Sequence, residues 1–358
     1  QLEIEVDKIC EYQRKHDTLA FYKRMQLFCS ECLLLINREY LKCDETGHWK
    51  INTYFSLNTI QFNTLSKEDI FHELDYLYNK AIGYEFEIDT ENNFMPLVTL
   101  SGGLDSRLTS LQAYNQGFVE QQIINFSEKE YADHVIAAHI ANEYKFPFKY
   151  ISLSSDTLSL FKESVSINDG LTTFVSSSLL LDVIPVISSI ENSGILHTGI
   201  LGDAIFGSYI KHIQNNKAAI TEGNYSNFLA NKVATQIQTS IDKYEYEEYY
   251  KFYNRGFNGI NNGFIFYDLV TETCSPFMEP DFFRFVLSIP RELRFKERIY
   301  IEWLQKHHPA VCNYVWENSG GKPTNSEIKK QFYRYKRALL KRLPVKSMWK
   351  GNMSPEQT

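Results

Sequence analysis

The chain has 358 residues, of which 43% are hydrophobic and 23% charged, a composition that supports one large folded domain with an appendage. A net charge of −7 argues against nucleic acid as the main partner, and six cysteines are too few over this length for a disulfide framework. The longest apolar stretch, SSSLLLDVIPVISSI, is interrupted by Asp182 and Pro185, so no membrane span is expected. No signal-peptide pattern opens the chain, and the expected location is the cytoplasm. The first residue is Gln1, and the chain is read as a fragment or a trimmed protein. Cys29 and Cys32 form a C-x-x-C without a second pair at zinc-site spacing, so two thiols in a strand or turn are expected.

Residues 33–57 fall into short strand-like runs around the turn signal DETG, which predicts a hairpin. Residues 67–83 carry apolar side chains at helical spacing and predict a helix stopped by Gly83. The pattern then alternates. PLVTL (96–100) reads as a strand, LDSRLTSLQAYNQG (104–117) as an amphipathic helix ending at Gly117, and QQIINF (121–126) as a strand. KEYADHVIAAHIANEY (129–144) follows as a helix and FKYISL (148–153) as a third strand. The stretch 175–194 reads as a buried helix kinked at Pro185, and ILHTGI (195–200) as a further strand. Strands separated by helices predict an α/β fold, a parallel sheet with helices on both faces. Beyond residue 211 the pattern is mostly helical, with no internal repeat.

The junction between PLVTL and the next helix, Ser101-Gly-Gly-Leu-Asp-Ser106, holds the most chemistry. In a parallel sheet it lies at a strand's carboxyl end, where ligands bind, and it opens a helix whose first amides attract anions. Gly102 and Gly103 let backbone approach a phosphate, and Ser101 and Ser106 add hydroxyls. No Gly-Lys-Ser/Thr follows, and the third glycine of a dinucleotide fingerprint is missing. The loop carries Asp105 instead of a cation. A carboxylate among phosphates is explained by Mg²⁺, which binds both. ILHTGI leads to Gly199, Gly202 and Asp203, which puts a second carboxylate at the end of a parallel strand. Asp105 and Asp203 are therefore the candidate metal ligands.

LSGGLDSR (Leu100–Arg107) resembles the pyrophosphate loop of the ATP pyrophosphatases, the PP-loop superfamily with its adenine-nucleotide α-hydrolase-like fold. LHTGILGDAIFGSY, SPFMEPDFFRFVLSIPRELRF and KERIYIEWLQKHHPA are similar to later segments of the synthetase domain of asparagine synthetases and of related β-lactam and lasso-peptide ring-forming synthetases. Residues 17–57 are similar to the tail of the glutaminase domain that precedes it. The resemblance implies two parts: a partial glutaminase-like β segment at 1–60, and a synthetase domain at 61–358 with its nucleotide core at 96–210 and a mostly helical part at 211–358. It implies ATP and Mg²⁺ held by Leu100, Ser101, Gly102, Gly103, Asp105, Ser106, Thr198, Gly199 and Asp203. A cation on the phosphates would come from Arg298 or Lys296, with Lys322 a weaker candidate. The implied reaction activates a small-molecule carboxylate as an acyl-adenylate, releases pyrophosphate and transfers the acyl group to a nitrogen donor, with ammonia supplied by a separate or upstream glutaminase.

The sequence departs from that family in two places. The earliest cysteine is Cys10, so the glutaminase nucleophile is missing and glutamine hydrolysis is not expected. Ile200 and Ala204 stand where asparagine synthetases carry glutamates, so asparagine formation is not expected either. A nucleotide-binding homologue that has lost catalysis and acts as a scaffold is one alternative. A PP-loop enzyme that modifies nucleic acid is another, although such enzymes bring extra cysteines or a basic RNA face, and this sequence has neither outside its tail.

That tail, residues 329–350, has nine Lys/Arg and no acid. A solvated helix is expected there, with contact to an anionic membrane surface as the alternative. YEYEEYYKFY (244–253) reads as helix packing with an acidic outer face, in preference to an aromatic sugar platform. His307 and His308 are adjacent, point apart on a helix, and read as surface residues.

Overall fold

Four short runs and one two-residue strand close their backbone hydrogen bonds as one parallel sheet. The computed structural model describes residues 32–36, 39–43, 49–53, 56–127, 131–153, 160–168, 180–213, 217–224, 227–228, 230–326, 328–329, 331–333 and 335. The chain divides into two compact units, Gln1–Gln61 and Phe62–Thr358. In the first, β1 (Cys32–Ile36), β2 (Glu39–Cys43) and β3 (Trp49–Thr53) form an antiparallel meander in which Leu34 pairs with Leu41 and Leu41 with Ile51. The expected strands are there. The DETG turn, Cys10, Cys29 and the 17–31 portion of the glutaminase-like stretch lie outside the described residues.

In the second unit, β4 (Met95–Thr99), β5 (Gln122–Ser127), β6 (Phe148–Ser152), β7 (Ser193–His197) and β8 (Thr273–Cys274) form an all-parallel sheet in the order β6-β5-β4-β7-β8. The chain winds outward from β4 to β6, then crosses back to lay β7 on the other side of β4. Winding therefore reverses between β4 and β7. The crevice at their carboxyl ends is the topological switch point, where open α/β sheets hold ligands.

Alternation along the strands gives the sheet two buried faces. On one, Leu97, Ile124, Ile151 and Leu196 pack with Val183, Ile187 and Tyr267. On the other, the His197 ring stacks on Phe86 of α1 (Lys67–Glu91) with centroids 3.7 Å apart, and Asn125 bonds Asp133 of α3 (Ala132–Tyr144). Between them in sequence, α2 (Asp105–Asn115) runs from the end of β4 to Gly117, whose φ of +100° stops it as expected.

Four expectations need correction. First, α1 does not stop at Gly83 but continues to Glu91. A glycine inside a helix costs about 1 kcal/mol, and burying Ile82, Phe86 and Asp89 along one face outweighs that. Second, Pro185 does not kink a long helix. It occupies the first turn of a short one, α5 (Ile184–Ser188), where its missing N–H costs nothing; α4 (Phe161–Asn168) precedes it.

Third, two of the three acids of YEYEEYYKFY face inward, while Glu245 is exposed as expected. Glu247 and Glu248 on α7 (Glu247–Lys251), which follows α6 (Ala234–Asp242), are buried. Arg294 of α9 (Arg291–Arg294), which follows α8 (Pro280–Ser288), grips Glu248 with two bonds of 2.6 and 3.0 Å, and Lys251 reaches Glu247 at 2.6 Å, which makes their burial tolerable. Fourth, His308 is buried rather than a surface residue, held by Asp75 at 3.1 Å and by Gln112 at 2.9 Å. It follows α10 (Arg298–His307) and precedes α11 (Pro309–Cys312). Of the basic tail 329–350, only 329, 331–333 and 335 are among the described residues.

Candidate active site

Leaving β4, the chain turns through the predicted loop, and the loop closes on itself. The Ser101 amide donates to Ser106 Oγ at 3.0 Å, the two hydroxyls lie 2.8 Å apart, and the Gly103 amide donates to Ser101 Oγ at 3.1 Å. The Gly102 amide donates to Asp133 Oδ1 at 2.8 Å, and Asp133 Oδ2 accepts from Asn125 at 2.8 Å. Leu100 is buried, and its amide reaches the Ile124 carbonyl at 3.0 Å, which carries the sheet to the edge of the loop. The first amides of α2 have no acceptor within the helix, which begins at the switch point.

Two flanking segments fix this loop. A Cβ on Gly102 would stand 2.7 Å from Glu317 Cβ, and the Glu317 amide bonds the Gly102 carbonyl at 3.0 Å. Arg107 completes that strap. Its fully buried guanidinium donates to the carbonyls of Gly102, Val311 and Val315 at 3.0, 2.8 and 2.9 Å. From the other side, the end of β7 lies on the first turn of α2. A Cβ on Gly199 would come within 2.2 Å of the Ser106 nitrogen, and one on Gly202 within 2.6 Å of Asp105 Cγ. Only glycine permits either approach.

The two predicted metal ligands meet here. Asp105 Oδ2 accepts the Asp203 amide at 2.9 Å, and Oδ1 accepts the Tyr300 hydroxyl at 2.8 Å. Tyr300 is held by stacking on Phe206, with centroids 4.3 Å apart. Burial, and next the charge of Asp203, hold the Asp105 carboxyl well above its usual range. Asp203 reaches solvent, but the protein crowded behind it raises it too, against the Ser208 hydroxyl, the Ala204 amide and the charge of Arg255. Two carboxyls raised by burial, one of them also by the other's charge, form an environment that a divalent cation would relieve.

The predicted cations do not converge on this pair. Arg298 is exposed and donates to the Glu292 carbonyl at 2.9 Å, while exposed Lys296 lies over the Phe295 ring. Lys296 and Glu297 have consecutive left-handed φ values of 57° and 58°, and it is the Glu297 charge that acts on Asp105. Arg255 is the cation whose charge acts on Asp203. Lys322 lines a separate cavity with His139, Tyr314 and Val315. Arg255 belongs to none of the motif-like stretches, so spacing gave no signal for it. Tyr300 stands inside KERIYIEW, where it reads as a helix core residue.

A cavity of about 270 Å³ opens at the ends of β7 and β8. Ile200, Phe264 and Met278 form its apolar wall, and Thr198, Asp268 and Ser275 its polar one. The Thr198 hydroxyl is committed to the Cys274 carbonyl at 2.8 Å. Asp268, also on the cavity wall, is raised by partial burial, against a hydrogen bond from Thr273 at 3.1 Å.

No protein-family model matches the chain, and no curated protein does. Among solved structures it is similar to the U34-tRNA thiolase NcsA from Methanococcus maripaludis, described with its 4Fe–4S cluster, at 14% identity over 86% of this chain and 89% of that one, with a TM-score of 0.30.

Proposed function

We propose that this protein is an ATP-dependent, AMP-forming enzyme that adenylates an acid and passes the acyl group to a nitrogen nucleophile. The observation that carries this reading is the meeting of the two predicted loops at the switch point, where the Asp203 amide bonds the Asp105 carboxylate across the opening of α2. The residues fit Mg²⁺, because Asp105 and Asp203 bring two oxygen-ligand side chains together. Bound there, Mg²⁺ would supply Lewis-acid charge to phosphate oxygens.

The chain's own groups would do the rest. The α2 amides and the Ser101 hydroxyl bind phosphate oxygens, and Arg255 stands on the Asp203 side to balance the pyrophosphate charge. An acid in the Ile200–Thr198 cavity attacks the α-phosphorus, a new P–O bond forms, the bond to the β-phosphate oxygen breaks, and pyrophosphate leaves. The nitrogen nucleophile then displaces AMP and gives up a proton. Asp268 is our candidate for the base, since Ile200 cannot serve and Asp268 is raised toward working pH.

A second reading, in which the adenylated group is a nucleobase oxygen that is then exchanged for sulfur, has one observation in its favour: Cys274 lies on the cavity wall. Its thiol donates to Glu85 at 3.0 Å, and burial and the Glu85 charge hold it well above the usual thiol range, which disfavours the free thiolate such chemistry needs as long as no cation is bound to it.

ATP–pyrophosphate exchange across a panel of small carboxylic acids, with unmodified tRNA beside them, tests both readings. Acid-dependent exchange with AMP as product is expected. ADP as the sole nucleotide product would refute adenylation, and exchange driven by tRNA alone would favour the second reading.

A further inference from the structure

We infer that Glu85, His197 and Cys274 form a Zn²⁺ site on the far side of β7 from the core cluster. His197 and Cys274 are register partners on the adjacent parallel strands β7 and β8, so their side chains stand together on one face. Glu85 reaches them from α1. Cys274 Sγ lies 3.0 Å from Glu85 Oε2 and 3.2 Å from His197 Nδ1, and Nδ1 lies 3.5 Å from Oε2. Zinc–sulfur bonds of about 2.3 Å and zinc–nitrogen or zinc–oxygen bonds of about 2.0–2.1 Å at tetrahedral angles place donor atoms roughly 3.3–3.6 Å apart. The triangle therefore needs to open by only a few tenths of an ångström, roughly the freedom of these side chains.

The surroundings orient the histidine as a ligand. Asp89, one turn after Glu85 on α1, accepts from His197 Nε2 at 2.8 Å, and its other oxygen accepts the Ile195 amide at 2.9 Å. Such a carboxylate fixes the tautomer that leaves the Nδ1 lone pair facing the other two donors. A Cβ on Gly194 would stand 2.2 Å from Asp89 Oδ1, so glycine is what admits this carboxylate. Phe86 stacks on the imidazole and holds its plane. With His197 neutral in this tautomer, the one thiol proton cannot satisfy both Nδ1 and Glu85 Oε2, and a second proton or a metal ion is needed to complete the triangle. One cation satisfies all three atoms. Thiolate, imidazole and carboxylate together suit zinc better than Mg²⁺ or Ca²⁺.

Cys274 also lines the cavity beside Ile200, and the three protein donors leave a fourth zinc position for a non-protein ligand. Three protein ligands with one open position is the arrangement of zinc that binds or activates a small ligand. The site stands on its own geometry and does not depend on the nucleotide reading.

The test is Co²⁺ titration of the full chain, read by its near-ultraviolet thiolate-to-cobalt absorption, with Zn²⁺ competition. About one equivalent should bind, Zn²⁺ should displace it, and Cys274→Ser should abolish the band. Asp89→Asn, with folding checked by circular dichroism, should weaken affinity about 10–100-fold while keeping the band. A folded chain that binds neither ion overturns the assignment, as does a band that survives in Cys274→Ser, which would place the metal on Cys29 and Cys32. ATP binding measured in the same samples separates failure here from failure of the nucleotide site.

Discussion

Replacing Arg107 with Met should loosen the phosphate loop before it unfolds the protein. Arg107 is wholly buried, and its guanidinium ties the Gly102 carbonyl to those of Val311 and Val315. Three charge-assisted hydrogen bonds contribute roughly 4–9 kcal/mol together, at about 1.5–3 each. Burial opposes them, pushing the side chain down from 12.5 to about 10, which amounts to ~3 kcal/mol at about 1.4 per unit. The balance is a net contribution of about 1–6 kcal/mol, and we expect the Met variant to lose ~3 kcal/mol, or roughly 6–10 °C in Tm. Arg107→Lys should lose less, because an ammonium keeps one or two of the bonds.

Thermal melting with and without Mg-ATP reads both parts of this argument. The Gly102 carbonyl is one end of the strap, so ATP affinity should fall in Arg107→Met at temperatures where the variant is fully folded. A melting point within about 1 °C of the parent protein would show that the three bonds contribute no net stability. A large loss of stability with unchanged ATP affinity would show that the strap is structural and does not hold the loop.

Other perturbations separate the roles of the charged groups. Asp105 has a folded-state pKa above the ordinary 3.8, so the stability it contributes is fully present below that value and is lost as pH rises through the folded-state pKa. Without Mg²⁺ the chain should therefore weaken as pH climbs toward neutrality, and Asp105→Asn should melt higher than the parent at neutral pH while losing Mg²⁺-dependent ATP binding in calorimetry. A lower neutral-pH Tm in that variant would contradict the strain. Arg255→Ala should lower pyrophosphate exchange about 10²–10³-fold and Arg298→Ala about twofold or less; the reverse order would restore the sequence-based choice. Asp268→Asn should leave exchange intact and slow amide formation about 10²-fold or more, so equal loss in both assays would remove Asp268 as the base.

The sheet and its first loop were legible because their signals are local. PLVTL, QQIINF, FKYISL and the core of ILHTGI are short apolar runs bounded by polar turns, and each is a strand. SGGLDS carries its chemistry in adjacent residues. What was not legible depends on distance along the chain. Strand β8 is two residues long, too short for any period, and pairs through its neighbour. Glu247 and Glu248 read as an outer face because the arginines that bury with them, Arg291 and Arg294, lie more than 40 residues away; only Lys251, one turn after Glu247, is local. Arg107 was visible only as the last letter of a motif. Its role lies in carbonyls 204 and 208 residues later. The Glu85–His197–Cys274 group spans three elements, with spacings that match no local metal motif.

The short stretch from His197 to Asp203 explains how an altered residue sits inside an intact loop. Gly199 and Gly202 cannot accept a side chain, since a Cβ would stand 2.2 Å from Ser106 and 2.6 Å from Asp105. His197 is sealed against α1, and Asp203 gives its amide to Asp105. Ile200 is different, because its backbone carbonyl is anchored by Ser275 while its side chain lines the cavity. Substrate contact can change at that position without disturbing the nucleotide side. This weighs against the scaffold reading. Asp105 and Asp203, raised by burial, oppose the fold at neutral pH, and a protein without a ligand for them would be more stable with amides in their place. Under the proposed function, carboxylates held up by burial at a switch point fit a chain that binds a charged ligand there better than an empty scaffold.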